Sequence, residues 1–169
     1  MGFFTSKPKK KAFEILEIEI TKSFLSKLIE TENIHGFTDF STDISEKFKL
    51  FDTAIFRSFE NTKELTNKTS FNLILENKIQ SITINKVKEL VNSFATEYGS
   101  DRNGESKWTN EDDNAISTYW TGREWIIDNK GKSQKIFGNE CCQINIHFNL
   151  DEGIDFSILG ANLQLKNNL

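Results

Sequence analysis

Apolar and polar residues alternate without a break over residues 142–150. The apolar positions are Ile144, Ile146, Phe148 and Leu150, and the positions between them are Gln143, Asn145, His147 and Asn149. Successive side chains of a β-strand point to opposite faces, so this run predicts a strand with one buried face and one wet face. Such strands belong to antiparallel sheets that are covered on one side only. The pattern also places Cys142 on the apolar face and Cys141 on the polar face with Gln143 and His147.

The same half of the chain holds further β-like runs at short intervals. They are residues 116–120, 125–128, 135–137 and 154–159. The segments between them carry turn residues, which are Thr121 and Gly122, then residues 129–131, and then residues 151–153. Connections of this length and composition are typical of hairpins. The C-terminal half is therefore predicted to form an antiparallel β-meander.

The clearest helix signal follows Asn85. The apolar positions Val87, Leu90, Val91, Phe94 and Tyr98 recur at helical spacing. Gly99 stands where a helix commonly ends in the left-handed conformation. This pattern predicts an amphipathic helix that Asn85 caps and that ends before Gly99.

The first eighty residues give weaker signals. Alternation over residues 13–20 predicts a strand, and Thr21 or Ser23 is predicted to cap a helix that ends before Gly36. Residues 44–59 carry apolar side chains at intervals of 3 and 4, which favours a helix over the alternative of a strand through Phe48 and Leu50. Residues 71–84 read as a hairpin that turns near Glu76.

Length and composition predict one domain. The chain has 169 residues, 37% of them hydrophobic, and its single proline, Pro8, leaves no proline-rich linker. The predicted fold class is α+β, with a mainly antiparallel sheet, two or three helices packed on one face and the C-terminal meander. Residues 1–12 are expected to be a basic tail, and residues 13–169 the α+β domain with a polar loop at 99–114.

The cellular setting is predicted from what the sequence contains. No apolar run reaches 18 residues, so no transmembrane segment is expected. The adjacent pair Cys141 and Cys142 is unsuited to a disulfide, which favours a reducing, cytoplasmic location. The pattern Gly2 to Ser6 followed by lysines leaves N-terminal lipidation and membrane attachment as an alternative to a solvated tail.

Charge is distributed unevenly. Four lysines give the first eleven residues a charge of +4, so the remainder carries −8 of the total of −4. An acidic body repels nucleic-acid phosphates, and no nucleic-acid partner is expected. A basic protein partner is compatible with it.

The loop at 99–114 is the predicted contact surface. It contains Glu111, Asp112 and Asp113, and all three tryptophans of the chain lie within the eighteen residues from Trp108 to Trp125. Aromatic residues are enriched at interface hot spots, and carboxylates complement a basic partner. The predicted partner-binding residues are Trp108, Glu111, Asp112, Asp113 and Tyr119, whereas Trp120 and Trp125 are expected to be core residues.

Catalytic and metal signatures are absent from the sequence. There is no nucleophile elbow, phosphate loop or zinc ligand spacing, and Gly104 falls at the wrong place after Asp101 for a calcium loop, so no cofactor and no metal are expected. Cys141 and His147 would lie about 20 Å apart on one strand, which excludes a dyad. The alternative to a binding domain is a small-ligand binder or hydrolase-like enzyme in which His147 acts as a base with Glu140 or Asp155.

These patterns lead to one functional prediction. The chain is expected to be a non-enzymatic protein-binding domain, either an adaptor or an inhibitor of the immunity type, that binds a basic partner. Neither the identity of the partner nor the oligomeric state follows from the sequence.

Overall fold

The computed structural model describes residues 9–16, 26–34, 37–43, 51, 53–58, 71–76, 83–138, 140–149 and 153–159. The helices in these ranges are α1 (Ala12–Ile15), α2 (Ile84–Tyr98) and α3 (Asn110–Ala115). The strands are β1 (Ile29–Ile34), β2 (Phe37–Asp43), β3 (Thr53–Ser58), β4 (Phe71–Glu76), β5 (Arg123–Ile127), β6 (Ser133–Gln134), β7 (Cys142–Asn149) and β8 (Gly153–Leu159).

All eight strands belong to one sheet in the order β1-β2-β3-β4-β8-β7-β5-β6. Every neighbouring pair is antiparallel. The predicted α+β class with a mainly antiparallel sheet is therefore confirmed. None of the helices in the described part of the chain is long and apolar enough to cross a membrane.

The core lies on one face of this sheet. Registered neighbours on that face include Trp125 opposite Ile144 and Ile127 opposite Cys142, and all four are buried. The burial of β7 alternates strictly from Gln143 to Phe148, as the sequence pattern predicted. Cys142 lies in the core, as predicted, and Cys141, which precedes β7, is half-buried.

Helix α2 contributes its apolar stripe to the same core. The predicted residues Val87, Leu90, Val91, Phe94 and Tyr98 are all buried, and the helix ends at Gly99 with a positive φ of 86°. The ring centroids of Phe94 and Trp125 lie 5.6 Å apart. The predicted helix is confirmed, but it begins at Ile84 with Thr83 as its N-cap, so the prediction that Asn85 caps it is wrong. The contact of Phe94 with Trp125 anchors the helix to β5.

Two predicted helices are wrong because small or exposed residues hid the strand alternation. Ile29–Ile34 is strand β1 and pairs with β2, so the helix predicted to end before Gly36 is wrong over these residues. Leu28 is buried and the adjacent Ile29 is 69% exposed. Residues 21–25 and 35 of that prediction lie outside the described residues. In β3 the buried positions are Ala54, Phe56 and Ser58. Two of these three are small residues, so the apolar spacing resembled a helix. Residues 44–50, 52 and 59 of that prediction lie outside the described residues.

The predicted strand at 13–20 also differs from the structure. Ala12–Ile15 forms α1, in which the Glu14 carboxylate accepts from the Lys11 N–H at 2.8 Å. This backward hydrogen bond satisfies a backbone donor at the helix start. Residues 17–20 lie outside the described ranges.

The predicted hairpin at 71–84 is only partly described. Phe71–Glu76 is strand β4, and Ile84 begins α2 and does not end a strand. Residues 77–82, where the predicted turn and most of the second strand fall, lie outside the described ranges.

The C-terminal strands are arranged differently from a simple meander. β5 lies between β6 and β7, so the chain turns at β6 and then passes beyond β5 to reach the other side. Residues 116–120 form no strand, because the Ile116 and Thr118 amides continue the turns of α3 by bonding to Asp112 and Ala115. β6 is Ser133–Gln134, which leaves Ile136 and Phe137 beyond the strand and exposed.

Candidate functional site

The segment at 99–123, which we call the anchored segment, is ordered around helix α3. Thr109 caps this helix: its side chain accepts from the Asp112 amide, and the Asp112 carboxylate accepts from the Thr109 amide at 2.9 Å. A residue that caps and a carboxylate three positions later satisfy each other's backbone donors. The sequence predicted a polar loop at 99–114, and this reciprocal cap explains why part of it is helical.

The Asp112 carboxylate is also the acceptor of a buried ion pair. Nη2 of Arg123 lies 2.6 Å from both carboxylate oxygens of Asp112, and the two side chains are each only 6% exposed. The indole Nε1 of Trp120 donates to Oδ1 of Asp112 at 2.9 Å. Burial raises the pKa of Asp112, but the Trp120 and Thr109 hydrogen bonds and the Arg123 charge hold it below its ordinary value.

Arg123 contributes to this ion pair from the first position of β5, on the buried face of the sheet. It lies opposite Ile146 in register, on the face that also carries Trp125 and Ile127. Gly122 precedes it with a φ of 80°, and a β-carbon there would lie 2.5 Å from the carbonyl oxygen of Ile146. Only glycine fits such an approach without a backbone shift. The turn before β5 therefore lies in close contact with β7. From this position the Arg123 guanidinium contacts Asp112 of α3.

Asp101 lies on the other side of the Arg123 guanidinium. Its Oδ1 accepts from the amides of Asn103 at 2.9 Å and Glu105 at 2.8 Å, which closes a turn. Its Oδ2 lies 4.0 Å from Nε of Arg123, and among the described residues neither atom has a hydrogen-bond partner. Burial raises the pKa of Asp101, although the Glu105 amide, the Arg123 charge and the Asn103 amide act in the opposite direction.

Trp108 attaches the anchored segment to α2. Its backbone N–H donates to Oδ1 of Asn92 at 2.9 Å, and its indole N–H donates to Oδ1 of Asp113 at 2.7 Å. Its ring centroid lies 5.2 Å from that of Trp120, and its side chain is buried. Trp108 was expected at the partner surface; the structure gives it an internal position because its indole nitrogen finds a partner within the segment.

The predicted partner-binding residues thus divide between two sides of the anchored segment. Trp108 and Asp112 face inward and are buried. Glu111 is exposed, Tyr119 is 78% exposed, and the side chain of Asp113 is 43% exposed while it lies 3.5 Å from the Lys88 ammonium. Trp120 and Trp125 lie in the core, as the sequence predicted.

Two of the three residues of the catalytic alternative, His147 and Asp155, lie on neighbouring strands of the sheet. His147 is exposed on β7 and stands opposite Asp155 of β8 in register. Glu140 precedes β7 and accepts from the Asn129 amide group at 3.2 Å. Register therefore associates His147 with Asp155, and it places Glu140 at the opposite end of the strand.

Arg123, Asp101 and Thr109 are the site residues that sequence reasoning missed. Two signals for them are present. The spacing from Thr109 to Asp112 is that of a capping pair. Arg123 alternates with Trp125 and Ile127, which places a charge on a buried strand face and requires a carboxylate partner.

An acid titration should reveal the Asp112 contribution. A carboxyl group whose folded-state pKa is lowered adds stability that is complete above its unfolded-state pKa of about 3.9 and is lost as the pH falls through the folded-state pKa. We therefore expect the difference in unfolding free energy between the wild type and Asp112→Asn to be largest near neutral pH and to shrink below pH 4. Urea titrations across this range measure it, and a difference independent of pH would contradict the assignment.

Comparisons of the chain with models of protein families, with curated proteins and with solved structures found no match. Among the residues that the structure describes, no group of three or more His, Cys, Asp or Glu side chains could hold a metal ion. The chain is an α+β domain with an antiparallel sheet. The anchored segment, in which Thr109 caps α3, is attached to this sheet by the ion pair between Asp112 and Arg123.

Proposed function

We propose that the chain is a non-enzymatic binding domain that recognises a basic surface of another protein. The contact surface in this proposal is the outer side of the anchored segment, with Glu111 and Tyr119 at its centre and Asp113 beside them. The observation that carries the proposal is the 78% exposure of Tyr119, directly next to a Trp120 that is 4% exposed. The buried Trp120 side chain holds the backbone at this point, and the ring of Tyr119 remains accessible to a partner.

The charge of this surface supports a basic partner. Residues 109–120 contain three carboxylates and no Lys or Arg. Arg123 neutralises one of them, Asp112, from the inside, and the Lys88 ammonium lies 3.5 Å from Asp113. Glu111 is exposed and, within the described part of the chain, forms no ion pair, so it is the carboxylate available to a basic partner. Complementary charge steers the encounter and excludes acidic partners.

The internal fixation of the segment favours binding. A segment that is ordered before the partner arrives loses less conformational entropy on association than a flexible loop does. Tyrosine contributes large contact area with few rotatable bonds, and for this reason it recurs at hot spots. An adaptor, or an inhibitor that neutralises a basic toxin or nuclease, would use a surface of this kind.

Point substitutions test this proposal better than a deletion of residues 100–113 does. That deletion would remove the buried side chains of Asp101, Trp108 and Asp112 and disturb the fold. We expect Tyr119→Ala to weaken partner binding by about 2 kcal/mol, near thirtyfold, and Glu111→Lys to weaken it further by charge reversal. Neither change should alter the melting temperature, since both side chains are exposed.

The partner is identified first by site-specific photo-crosslinking in lysate of the native host, with the photoreactive group placed at position 119. Position 29 serves as the matched control, because Ile29 is similarly exposed, at 69%, on the edge strand β1. A basic protein crosslinked from position 119 and not from position 29, whose affinity falls in Tyr119→Ala, is the expected result. Equal crosslinking from both positions, or unchanged affinity of the variants, would contradict the proposal.

A further inference from the structure

A second surface of the molecule combines lysines with exposed apolar side chains. It lies around the turn between β5 and β6 and just beyond β6. Ile136 is 81% exposed and Phe137 is 48% exposed. We call it the basic apolar patch, and its members are Lys9, Lys130, Lys132, Lys135, Ile136 and Phe137, all of them exposed.

The fold brings Lys9 to this turn from the distant N-terminal part of the chain. A β-carbon on Gly131 would lie 2.5 Å from Cβ of Lys9, so the two residues are in direct contact. The ammonium group of Lys9 donates to the carbonyl oxygen of Glu97. The next residue is fixed too, because the Lys10 amide donates to the Glu97 carboxylate at 2.8 Å and the Tyr98 hydroxyl donates to the Lys10 carbonyl at 2.6 Å.

The carboxylate nearest to these lysines in the chain is engaged by the turn itself. Oδ1 of Asp128 accepts from the amides of Lys130 at 2.8 Å and Lys132 at 2.9 Å, and its Oδ2 accepts from the Gln134 side chain at 3.0 Å. Within the described part of the chain, no carboxylate forms an ion pair with Lys130, Lys132 or Lys135. Three carboxylates border the patch: Asp128, whose charge Lys132 faces, Glu97 beside Lys10 and Glu140 beside Asn129. Its four lysines outnumber them, so the patch is a weakly cationic surface on a chain with a net charge of −4.

We propose that the basic apolar patch docks onto the surface of a membrane that contains anionic lipids. Lysines near such a surface are attracted by its negative potential, while adjacent apolar side chains enter the boundary between headgroups and acyl chains. Nucleic-acid phosphates would satisfy the lysines but would leave Ile136 exposed to water. The patch holds none of the residues assigned to the partner surface, so this proposal is independent of the proposed function.

Vesicle flotation with the purified, unlipidated full chain tests the proposal. We expect binding to phosphatidylcholine vesicles that contain phosphatidylserine and none to vesicles of phosphatidylcholine alone. Ile136→Ser combined with Phe137→Ser should weaken partitioning at least about tenfold, because each loses apolar burial. Lys130→Gln, Lys132→Gln and Lys135→Gln should each weaken it about fivefold.

Matched controls use residues of the same type elsewhere on the surface. Ile29→Ser removes an exposed isoleucine at the opposite edge of the sheet, and the single changes Lys27→Gln, Lys86→Gln and Lys107→Gln each remove one exposed lysine. All of these controls should bind vesicles like the wild type. Equal losses in the control and patch variants would overturn the proposal, as would equal affinity for vesicles with and without phosphatidylserine.

Insertion of the apolar pair is measured separately. In Phe137→Trp the new indole should be quenched by brominated lipids, whereas the three native tryptophans are each at most 8% exposed and should respond little. If the protein floats with the vesicles and the Trp at position 137 stays unquenched, the proposal that Ile136 and Phe137 enter the membrane is overturned. A different result would overturn the proposal in favour of a nucleic acid as the ligand of the patch. In that case the protein binds DNA or RNA in a salt-sensitive way, Ile136→Ser leaves this binding unchanged, and the protein does not float with vesicles.

Discussion

Replacement of Arg123 by alanine is expected to lower the free energy of unfolding by about 3–5 kcal/mol. The change leaves the Asp112 carboxylate buried with its negative charge and without the guanidinium that lies 2.6 Å from both of its oxygens. It also removes the charge that Asp101 faces at 4.0 Å. Urea or guanidinium unfolding at neutral pH, followed by tryptophan fluorescence, measures the loss.

An exposed ion pair of the same chemistry is the control. Arg102 and Glu124 lie 3.0 Å apart with side-chain exposures of 49% and 22%. Arg102→Ala should cost no more than about 1 kcal/mol, since water screens such a pair. A double-mutant cycle with Asp112→Asn and Arg123→Met should give a coupling energy of about 1–3 kcal/mol. A loss for Arg123→Ala as small as that for Arg102→Ala would show that the buried pair does not fix the anchored segment.

Trp125→Ala is expected to lower the unfolding free energy by a similar amount, about 3–5 kcal/mol. The indole is 1% exposed, lies 5.6 Å from the Phe94 ring, and donates from Nε1 to the Gly99 carbonyl at 3.0 Å. Its removal opens a cavity at the contact between β5 and α2 and leaves the carbonyl of Gly99, the C-cap residue of that helix, without the indole donor. Thermal and denaturant unfolding quantify the effect.

Trp125→Phe separates the two contributions. It retains an aromatic ring but loses the hydrogen bond to Gly99 and some volume, so we expect a loss of about 1–2 kcal/mol. Equal losses for phenylalanine and alanine would mean that the hydrogen bond, and not the packing, dominates this contact.

The parts of the fold that could be predicted from sequence are those in which burial follows one clear period. β7 alternates strictly, and α2 repeats its apolar positions over more than three turns before Gly99. In both cases large apolar residues occupy nearly every inward position. In these two elements the spacing of apolar residues predicts the same secondary structure that the packing of the core requires.

The mispredicted elements share a different property. In β3 the inward positions include Ala54 and Ser58, and at the start of β1 the exposed Ile29 follows the buried Leu28. Small inward residues and large outward residues hide the two-residue period of a strand. In β3 the strand is therefore specified by its pairing with β2 and β4 and not by the local sequence. The order of β5, β6 and β7 depends on such pairings as well, because no local pattern specifies which strand a hairpin joins next.

The candidate site could be predicted only in part, since its chemistry depends on contacts across the fold. Trp108 looked like a surface residue among polar neighbours, and its burial requires Asn92 of α2 and the Trp120 ring. The acidic cluster looked uniform, whereas the structure gives Asp112 an internal role and leaves Glu111 outside. Helical geometry places consecutive residues on different sides, and only the position of Arg123 shows which side is internal.

The anchored segment is expected to be ordered before any partner binds. Native-state hydrogen exchange measures this most directly, at the amides of Glu105, Trp108 and Thr109, which donate to Asp101, Asn92 and Asp112. We expect these amides to exchange on the order of a hundredfold more slowly than those of an unstructured peptide, and we expect Arg123→Ala to remove this protection. Exchange at the unstructured rate in the wild type would contradict it, because the surface around Glu111 and Tyr119 would then have no fixed base.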